Sequence, residues 1–151
     1  MFAHDLAEPF PYVSADSAAL DAARLMARQK LPALLVVDAD GRPYAILSGS
    51  EAIKSLLPTY IIENPALVDV LREGDIEQST EVLDGLSVAE WLPKGRTVPP
   101  VIGPDGTALG AAALMARSGS PLTVVIENDG GRFRVIGAIT AVRLLEHFIG
   151  T

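Results

Sequence analysis

Apolar residues recur at helical spacing near the start of the chain and lead into a short, unbroken apolar run. Four of them share one face of a helix: Leu20, Ala23, Met26 and Ala27. This spacing predicts an amphipathic helix over residues 17–29, with Asp16 and Ser17 at its N-cap. The apolar run at 33–37 is too short for a helix and predicts a strand.

A turn and a second apolar run follow that strand. The stretch Asp38-Ala39-Asp40-Gly41 is typical of a turn, and residues 44–47 are again mostly apolar, so the two runs predict a β-hairpin. Apolar residues at helical spacing then follow Ser48 and predict a helix over residues 49–57, which ends at Pro58. The predicted unit is therefore helix, strand, strand, helix.

The same unit occurs twice in the chain. At an offset of 89 residues, positions 19–41 and 108–130 agree at 12 of 23 places, which indicates an internal duplication. In the second copy we expect a helix after Asp105-Gly106, strands at 123–126 and 133–139, and a final helix from Thr140. The offset grows to 92 beyond the second hairpin, which predicts a three-residue insertion in its turn at 128–132.

An acidic segment joins the two copies. Asp and Glu outnumber Lys and Arg by 8 to 3 over residues 59–97, so five of the seven net negative charges lie there. Asn64-Pro65 predicts a short helix that continues to Gly74. Ser87 and Glu90 form a capping-box pattern ahead of another brief helix, of which residues 3–6 are a fainter echo.

These features divide the chain into a first repeat at 1–58, an acidic helical connector at 59–86 and a second repeat at 87–151. Each repeat has only about 50 residues of its own pattern, too few to bury a sheet face and two helices alone. We therefore expect an α/β (α+β) fold in which two small sheets, each with two helices, pack with pseudo-twofold symmetry. Such a pair has two equivalent clefts.

Composition narrows the chemistry that the chain can perform. It has no cysteine and only two histidines, His4 and His147, which we expect at the surface rather than in a metal site. No nucleophile is paired with a base and no glycine-rich phosphate loop is present, so we do not expect an enzyme. An acidic chain without a basic stripe is also a poor nucleic-acid binder.

The apolar runs also bear on location. None approaches the ~18 residues that a membrane-spanning helix requires, and the first residues lack the basic and then apolar order of a signal peptide. We therefore expect a cytoplasmic protein with no membrane segment.

The turns that lead from strand to helix, at Ser48 and Thr140, are the best candidates for ligand contact. A helix N-terminus presents free backbone N–H groups that suit a phosphate or a hydroxyl-rich ligand. The stretches Ile46-Leu47-Ser48-Gly49-Ser50-Glu51 and Ala138-Ile139-Thr140-Ala141-Val142-Arg143 each follow a Pro-led apolar strand and a helix that contains Leu-Met. This combination resembles the cystathionine β-synthase (CBS) domain, and two tandem copies resemble a Bateman module.

The resemblance implies an adenine-containing ligand, namely ATP, ADP, AMP or S-adenosylmethionine, held in a cleft between the repeats. The residues that it implies as ligand contacts are Val13, Ser14, Ala33, Leu34, Ser48, Glu51, Thr140 and Arg143. Ser48 and Thr140 would supply hydroxyls, and Glu51 takes the place of the family's ribose-binding Asp. Arg143 departs from the pattern, because a guanidinium cannot accept a hydrogen bond from a hydroxyl. The first cleft is therefore the better candidate, and Arg143 would meet a phosphate or lie in solvent.

Simpler interpretations of the same residues stay open. Ser48 and Glu51 also form a capping box that needs no ligand, and Thr140 can be a plain N-cap. Trp91 is expected to anchor a core or an interface rather than stack on a base. Repeat symmetry places Met26 and Met115 in the core.

The resemblance further implies a non-enzymatic regulatory sensor that requires no cofactor. It implies a homodimer formed through the helices at 49–57 and 142–149, and we expect four exposed residues there to build a self-complementary patch: Leu56, Leu57, Leu145 and Phe148. A protein partner is also expected but unknown. The alternative is a CBS-type scaffold that binds no ligand and acts through dimerisation or a protein partner.

Overall fold

The structure, a computed structural model, describes residues 1–72 and 79–150. Its helices, in chain order, are α1 Ala3–Leu6, α2 Ala19–Arg28, α3 Gly49–Leu56, α4 Thr59–Glu63, α5 Ser79–Leu83, α6 Val88–Trp91, α7 Ala108–Ser118 and α8 Ala141–Ile149. Its strands are β1 Tyr12–Ser14, β2 Ala33–Val37, β3 Pro43–Ser48, β4 Val101–Ile102, β5 Leu122–Asp129 and β6 Arg132–Thr140. A 3-10 helix at Pro65–Asp69 follows α4.

Each repeat contains a three-stranded sheet with its middle strand covered on both faces. In the first sheet β2 pairs in parallel with β1 and antiparallel with β3, and β4, β5 and β6 repeat this order. Alternate residues of β2 point to opposite faces. Leu34 and Val36 join the core of the first repeat, whereas Ala33 and Leu35 join a cluster shared with the second sheet. This arrangement confirms the predicted α/β fold of two repeats.

The two repeats make matching contacts with each other, as a pseudo-twofold axis requires. Four isolated bridges form two equivalent pairs, Ala18 with Ser87 and Thr107 with Phe2, then Ile46 with Thr97 and Ala138 with Glu8. Thr107 follows Ala18 by the 89-residue offset, and Ala138 follows Ile46 by the 92-residue offset. The sequence repeat and the spatial repeat therefore coincide.

The short helix before each repeat packs on the other repeat. Ala3 and Leu6 of α1 are buried in the core that α7 and β6 build. Val88 and Trp91 of α6 are buried in the core of the first repeat, which also contains Met26. Trp91 is thus a core anchor, as predicted, and Met26 and Met115 are both buried in their cores.

The predicted start of α2 is wrong by two residues. The helix begins at Ala19, its N-cap residue is Ala18, and no side chain caps it. Ser17 is not the cap because its Oγ accepts a hydrogen bond from the backbone N–H of Ser14 at 3.2 Å, in the turn before the helix. The predicted caps of α3 and α6 are correct.

The second hairpin is longer than predicted. Strands β5 and β6 continue to Asp129 and from Arg132, so only Gly130 and Gly131 lie between them. Both glycines have positive φ, 61° and 91°, the conformation that a two-residue turn of type I′ requires. The three extra residues therefore lengthen the strands and do not enlarge the turn.

The connector also departs from prediction. The helix expected from Pro65 to Gly74 is instead the 3-10 helix, which ends at Asp69, and position 74 lies outside the described residues. Asn64 does not cap it, because its amide donates backwards to the carbonyl of Tyr60 at 3.0 Å. Helix α4, at Thr59–Glu63, was not predicted.

Candidate functional site

The turn between β3 and α3 has all the hydrogen bonds of a capping box. The Ser48 Oγ accepts from the N–H of Glu51 at 3.2 Å, and the N–H of Ser48 donates to Glu51 Oε1 at 3.2 Å. The Ser48 hydroxyl also lies 3.0 Å from the same Oε1. Ser48 and Glu51 therefore form the capping box that needs no ligand, which is the simpler interpretation of this motif. Glu51 Oε2, however, has no hydrogen-bond donor among the described residues.

A pocket of about 640 Å³ lies beside Glu51. It is bounded by α3, α4 and the end of α6 with the segment that follows. Its lining residues are Glu51, Lys54, Ser55, Leu57, Thr59, Ile62, Glu63, Trp91 and Pro93. Its volume falls within the range of ~300–1,000 Å³ that small-molecule sites occupy. Three charged side chains and an apolar wall therefore meet at one cavity.

Trp91 gives this pocket a rigid wall. Its side chain is only 7% exposed, and its Nε1 donates to the Oγ of Ser55 at 2.8 Å. Helix α6 holds Trp91 in place through its own capping box, in which the N–H of Ser87 donates to Glu90 Oε1 at 3.0 Å. This backbone hydrogen bond, helped by the Ser87 side chain, holds the pKa of the exposed Glu90 carboxyl below its usual range.

The other residues predicted to contact a ligand in the first cleft do not lie together. Ala33 lies opposite Ser48 in the sheet, but its side chain and that of Leu34 have no exposed surface. Val13 packs against the first core. Ser14 pairs with Val37, four residues along β2 from Ala33, which is ~13 Å at strand rise. The structure therefore brings Ala33 to Ser48 but leaves Ser14 at the other end of the sheet.

In the second repeat, the corresponding turn lies between β6 and α8, and Arg143 forms ion pairs there. Thr140 Oγ1 accepts from the N–H of Arg143 at 3.2 Å, so Thr140 is an N-cap. The Arg143 guanidinium lies 3.8 Å from Glu8 Oε1 through Nε and 3.6 Å from Glu146 Oε2 through Nη1. Arg143 thus stands where the first repeat has Glu51, and it is already engaged with carboxylates.

The backbone at Glu8 lies close against strand β6 of the second repeat. The backbones of Glu8 and Ala138 exchange two hydrogen bonds of 3.0 Å. A Cβ at Gly137 would lie 2.4 Å from the Glu8 carbonyl oxygen, so glycine is needed there. In the first repeat the equivalent position is Ala45, and the matching segment is joined to β3 by the hydrogen bond from the Ile46 N–H to the Thr97 carbonyl.

The pocket contains residues that the sequence analysis missed. Lys54 and Ser55 follow Glu51 by three and four residues, so helical spacing was sufficient to find them. Trp91 and Glu63 could not be found in this way, because they come from α6 and α4, whose positions depend on tertiary packing.

The predicted dimer residues are mostly exposed. Leu57, Leu145 and Phe148 are on the surface. Leu56 was wrongly predicted to be exposed, because it lies on the inner face of α3 and packs against the first core. Ile53 occupies the outer face instead, at 61% exposure.

Over residues 1–72 and 79–150, no cluster of three or more His, Cys, Asp or Glu residues could hold a metal ion. His4 lies at the surface, where its Nδ1 is 2.8 Å from the Pro104 carbonyl. The same part of the chain has no helix with the length and apolar content to cross a membrane.

Comparisons with known proteins agree with this architecture. The family model for the CBS domain matches residues 3–58. A crystal structure of a CBS domain-containing protein of unknown function from Kribbella flavida is 40% identical, covers 99% of both chains and superposes with a TM-score of 0.86. Comparison with curated proteins gives no match.

More distant structures share the fold. The CBS domain of a CBS domain-containing membrane protein from Sphaerobacter thermophilus is 23% identical, with a TM-score of 0.68 over 97% of this chain and 86% of that one. CBSX2, solved in complex with AMP, is 18% identical, with a TM-score of 0.65 over 99% of this chain and 96% of that one.

Proposed function

The chain belongs to the CBS-domain family and carries two CBS repeats in tandem, and from this premise we propose that it is a regulatory module that binds an adenine-containing ligand beside Glu51. Proteins built only of CBS domains are typically regulatory and not catalytic. The observation that carries the proposal is the pocket lined by Glu51, Lys54 and Trp91. The expected ligands are ATP, ADP, AMP and S-adenosylmethionine.

The chemistry of the pocket matches the parts of such a ligand. Glu51 Oε2 is available to accept hydrogen bonds from ribose hydroxyls, while Oε1 keeps its role in the helix cap. The Lys54 ammonium supplies a cation for a phosphate or a carboxylate, and no ion pair engages it among the described residues. Trp91, Leu57 and Ile62 offer an apolar wall to the base.

The two repeats are not expected to bind alike. Arg143 replaces Glu51 in the second repeat, and its guanidinium cannot accept from a ribose hydroxyl. It is also paired with Glu8, whose backbone is held against β6. We therefore expect one ligand per chain. The AMP complex of CBSX2 supports the ligand class only by shared fold, since it is 18% identical.

Titration with each of the four ligands tests the proposal. Trp91 is the single tryptophan and lines the pocket, so its fluorescence reports binding directly. A ligand at 100 times its Kd should stabilise the protein by ~2.7 kcal/mol, measured as a thermal shift. If none of the four changes the fluorescence or the melting temperature at millimolar concentration, the proposal is wrong.

A Glu51→Gln variant identifies the site. Glutamine at this position can still complete the capping box, so the stability of the free protein should change little. Because the negative acceptor is lost, the affinity should fall at least tenfold. Glu146→Gln is the matched control, since Glu146 is a helix carboxylate of the second repeat that does not line the pocket. Equal effects of the two variants would place the ligand elsewhere.

The second candidate function is a scaffold that binds no ligand. The complete capping box at Ser48 favours it, because this box accounts for the Ser48 and Glu51 motif without a ligand. In both candidates we propose that the chain forms a homodimer through its exposed helices. The dimer would transmit ligand occupancy in the first case and present the binding surface in the second.

A further inference from the structure

The segment that follows α6 is longer than its counterpart after α1. In the counterpart, only Ala7 lies between the end of α1 and the bridge that Glu8 forms with β6. After α6, the five residues 92–96 precede the equivalent bridge, which Thr97 forms with β3. Five residues against one means that four residues are inserted at this point, and only one half of the molecule has them.

The inserted segment carries two positively charged side chains, Lys94 and Arg96. The Arg96 guanidinium lies over the Tyr44 ring, 4.1 Å from its centre, and Nε donates to the Tyr44 carbonyl at 3.2 Å. Within the described part of the chain, the two terminal nitrogens of Arg96 have no hydrogen-bond or ion-pair partner, and the Lys94 ammonium has none either. A guanidinium held in this way can offer two parallel N–H donors to a carboxylate or a phosphate.

A cavity of about 300 Å³ lies beside Lys94 and Arg96. Its lining residues are Tyr44, Ala89, Glu90, Leu92, Pro93, Lys94 and Arg96. Among the described residues, it shares only Pro93 with the pocket beside Glu51, so the two cavities are separate sites. Its volume is at the lower end of the range of ~300–1,000 Å³ for small-molecule sites, so its ligand must be small.

The cavity also contains one negative charge, that of Glu90. The Ser87 N–H donates to Glu90 Oε1 at 3.0 Å, and this bond holds the pKa of Glu90 below its usual range, so the carboxylate is ionised at neutral pH. A simple anion would be attracted by the two cations and repelled by Glu90. A ligand that also carries an ammonium group could pair with all three charges.

We propose that this cavity binds a dicarboxylic α-amino acid, with its two carboxylates on Arg96 and Lys94 and its ammonium group on Glu90. Such a ligand has one more negative than positive group, and the cavity has one more positive than negative side chain. Leu92 and Pro93 offer an apolar wall to its methylene groups. The site is additional to the adenine-ligand pocket and does not depend on it. Because the other half lacks the insertion, we expect one such site per chain.

Titration with L-glutamate, followed by NMR of the backbone amides, tests the proposal. Exposed charge pairs bind weakly, so we expect saturation at millimolar concentration, with shifts concentrated in residues 89–96 and at Tyr44. Sodium chloride at equal ionic strength is the reference, because exposed charges also respond to salt. Shifts no larger than those of the reference, or shifts centred on another part of the chain, would overturn the inference.

Arg96→Gln identifies the site. The loss of a charge-assisted hydrogen bond should raise the dissociation constant for glutamate by ~tenfold. Arg117→Gln is the matched control, since Arg117 is exposed on α7, does not line the cavity and changes the net charge equally. Equal weakening by the two variants would show a response to net charge alone and would contradict the proposal. Lys94→Gln repeats the test without disturbing Tyr44, should Arg96→Gln unfold the segment.

Glutarate, which is glutamate without its ammonium group, tests the role of Glu90. The wild-type chain should bind glutarate more weakly than glutamate. Glu90→Gln keeps the capping box with Ser87 and should abolish this preference, because the charge that attracts the ammonium group is lost. If glutarate or inorganic phosphate binds the wild-type chain as tightly as glutamate, the cavity is a simple anion site and the inference is wrong. The adenine-ligand proposal would stand in that case, because the Trp91 titration tests it at a separate pocket.

Discussion

Glu51 and Arg143 occupy the same position in the two repeats, and their surroundings give them different uses. One oxygen of Glu51 caps α3 while the other is available to the pocket. The side chain of Arg143 is 30% exposed, and its guanidinium lies 3.8 Å and 3.6 Å from two carboxylates. Exposed ion pairs of this length contribute only ~0–1 kcal/mol, so the substitution alters the chemistry of the second cleft more than its stability.

The Ser48 side chain is expected to act as a cap. Ser48→Ala removes the acceptor for the Glu51 N–H and should lower the free energy of unfolding by ~1 kcal/mol. Ligand affinity should change less than twofold, because Ser48 does not line the pocket. Urea denaturation and the Trp91 titration measure the two effects.

Thr140→Ala is the matched control for Ser48→Ala. Thr140 Oγ1 makes the same cap in the second repeat, so its loss should cost a similar ~1 kcal/mol. A large loss of affinity in Ser48→Ala without loss of stability would instead make Ser48 a ligand contact.

At the scale of elements, the edge strands β6 and β3 differ in how they contact the segments that pair with them, around Glu8 and Thr97 respectively. Glu8 pairs with Ala138 through two backbone hydrogen bonds, and Gly137 allows the backbones to approach closely. The first repeat has Ala45 at the position of Gly137. Glu8 therefore exchanges two backbone hydrogen bonds with β6, whereas Thr97 accepts one from Ile46 of β3.

Gly137→Ala tests that contact. The new Cβ would lie 2.4 Å from the Glu8 carbonyl oxygen, so the segment must move, and overpacking of this kind costs ~1–3 kcal/mol. Gly103→Ala is the control, because a Cβ there meets open space and no positive φ is needed. Urea denaturation should show the loss in Gly137→Ala only. A Gly137→Ala protein as stable as the control would show that the segment is not pressed against β6.

At the scale of the whole molecule, each repeat depends on the segment that precedes the other. Leu6 has no exposed surface and lies in the core of the second repeat, although it belongs to the first 58 residues. Val88 has the same relation to the first repeat. The two repeats are thus coupled by exchanged helices in addition to the packing between their sheets.

Leu6→Ala and Val88→Ala should act on opposite halves. Leu6→Ala removes buried methyl groups and should cost ~2–5 kcal/mol, and amide hydrogen exchange should speed up first in α7 and β6. Val88→Ala removes fewer buried atoms and should act first on β2 and β3. Faster exchange of β2 in Leu6→Ala, with β6 unaffected, would contradict the exchanged packing.

Local patterns predicted most of the regular structure because their causes are local. The helical spacing from Leu20 to Ala27 and the Ser-x-x-Glu caps act within a few residues, so they are visible in sequence. The hairpin of the second repeat was predicted too short because two consecutive glycines allow a tighter turn than polar composition suggests. Helix α4 was missed because one turn of helix leaves too little periodicity to detect.

The sequence alone determined that the chain is a duplicated α/β unit, because duplication preserves the apolar positions that build each core, and its motifs carried the resemblance to the CBS domain. Only the tertiary structure decided that Glu51 shares a pocket with Trp91, that Ser14 lies far from Ser48 and that Arg143 meets Glu8. These relations join residues distant in the chain, and they depend on how the two sheets and the exchanged helices pack, which no local pattern encodes.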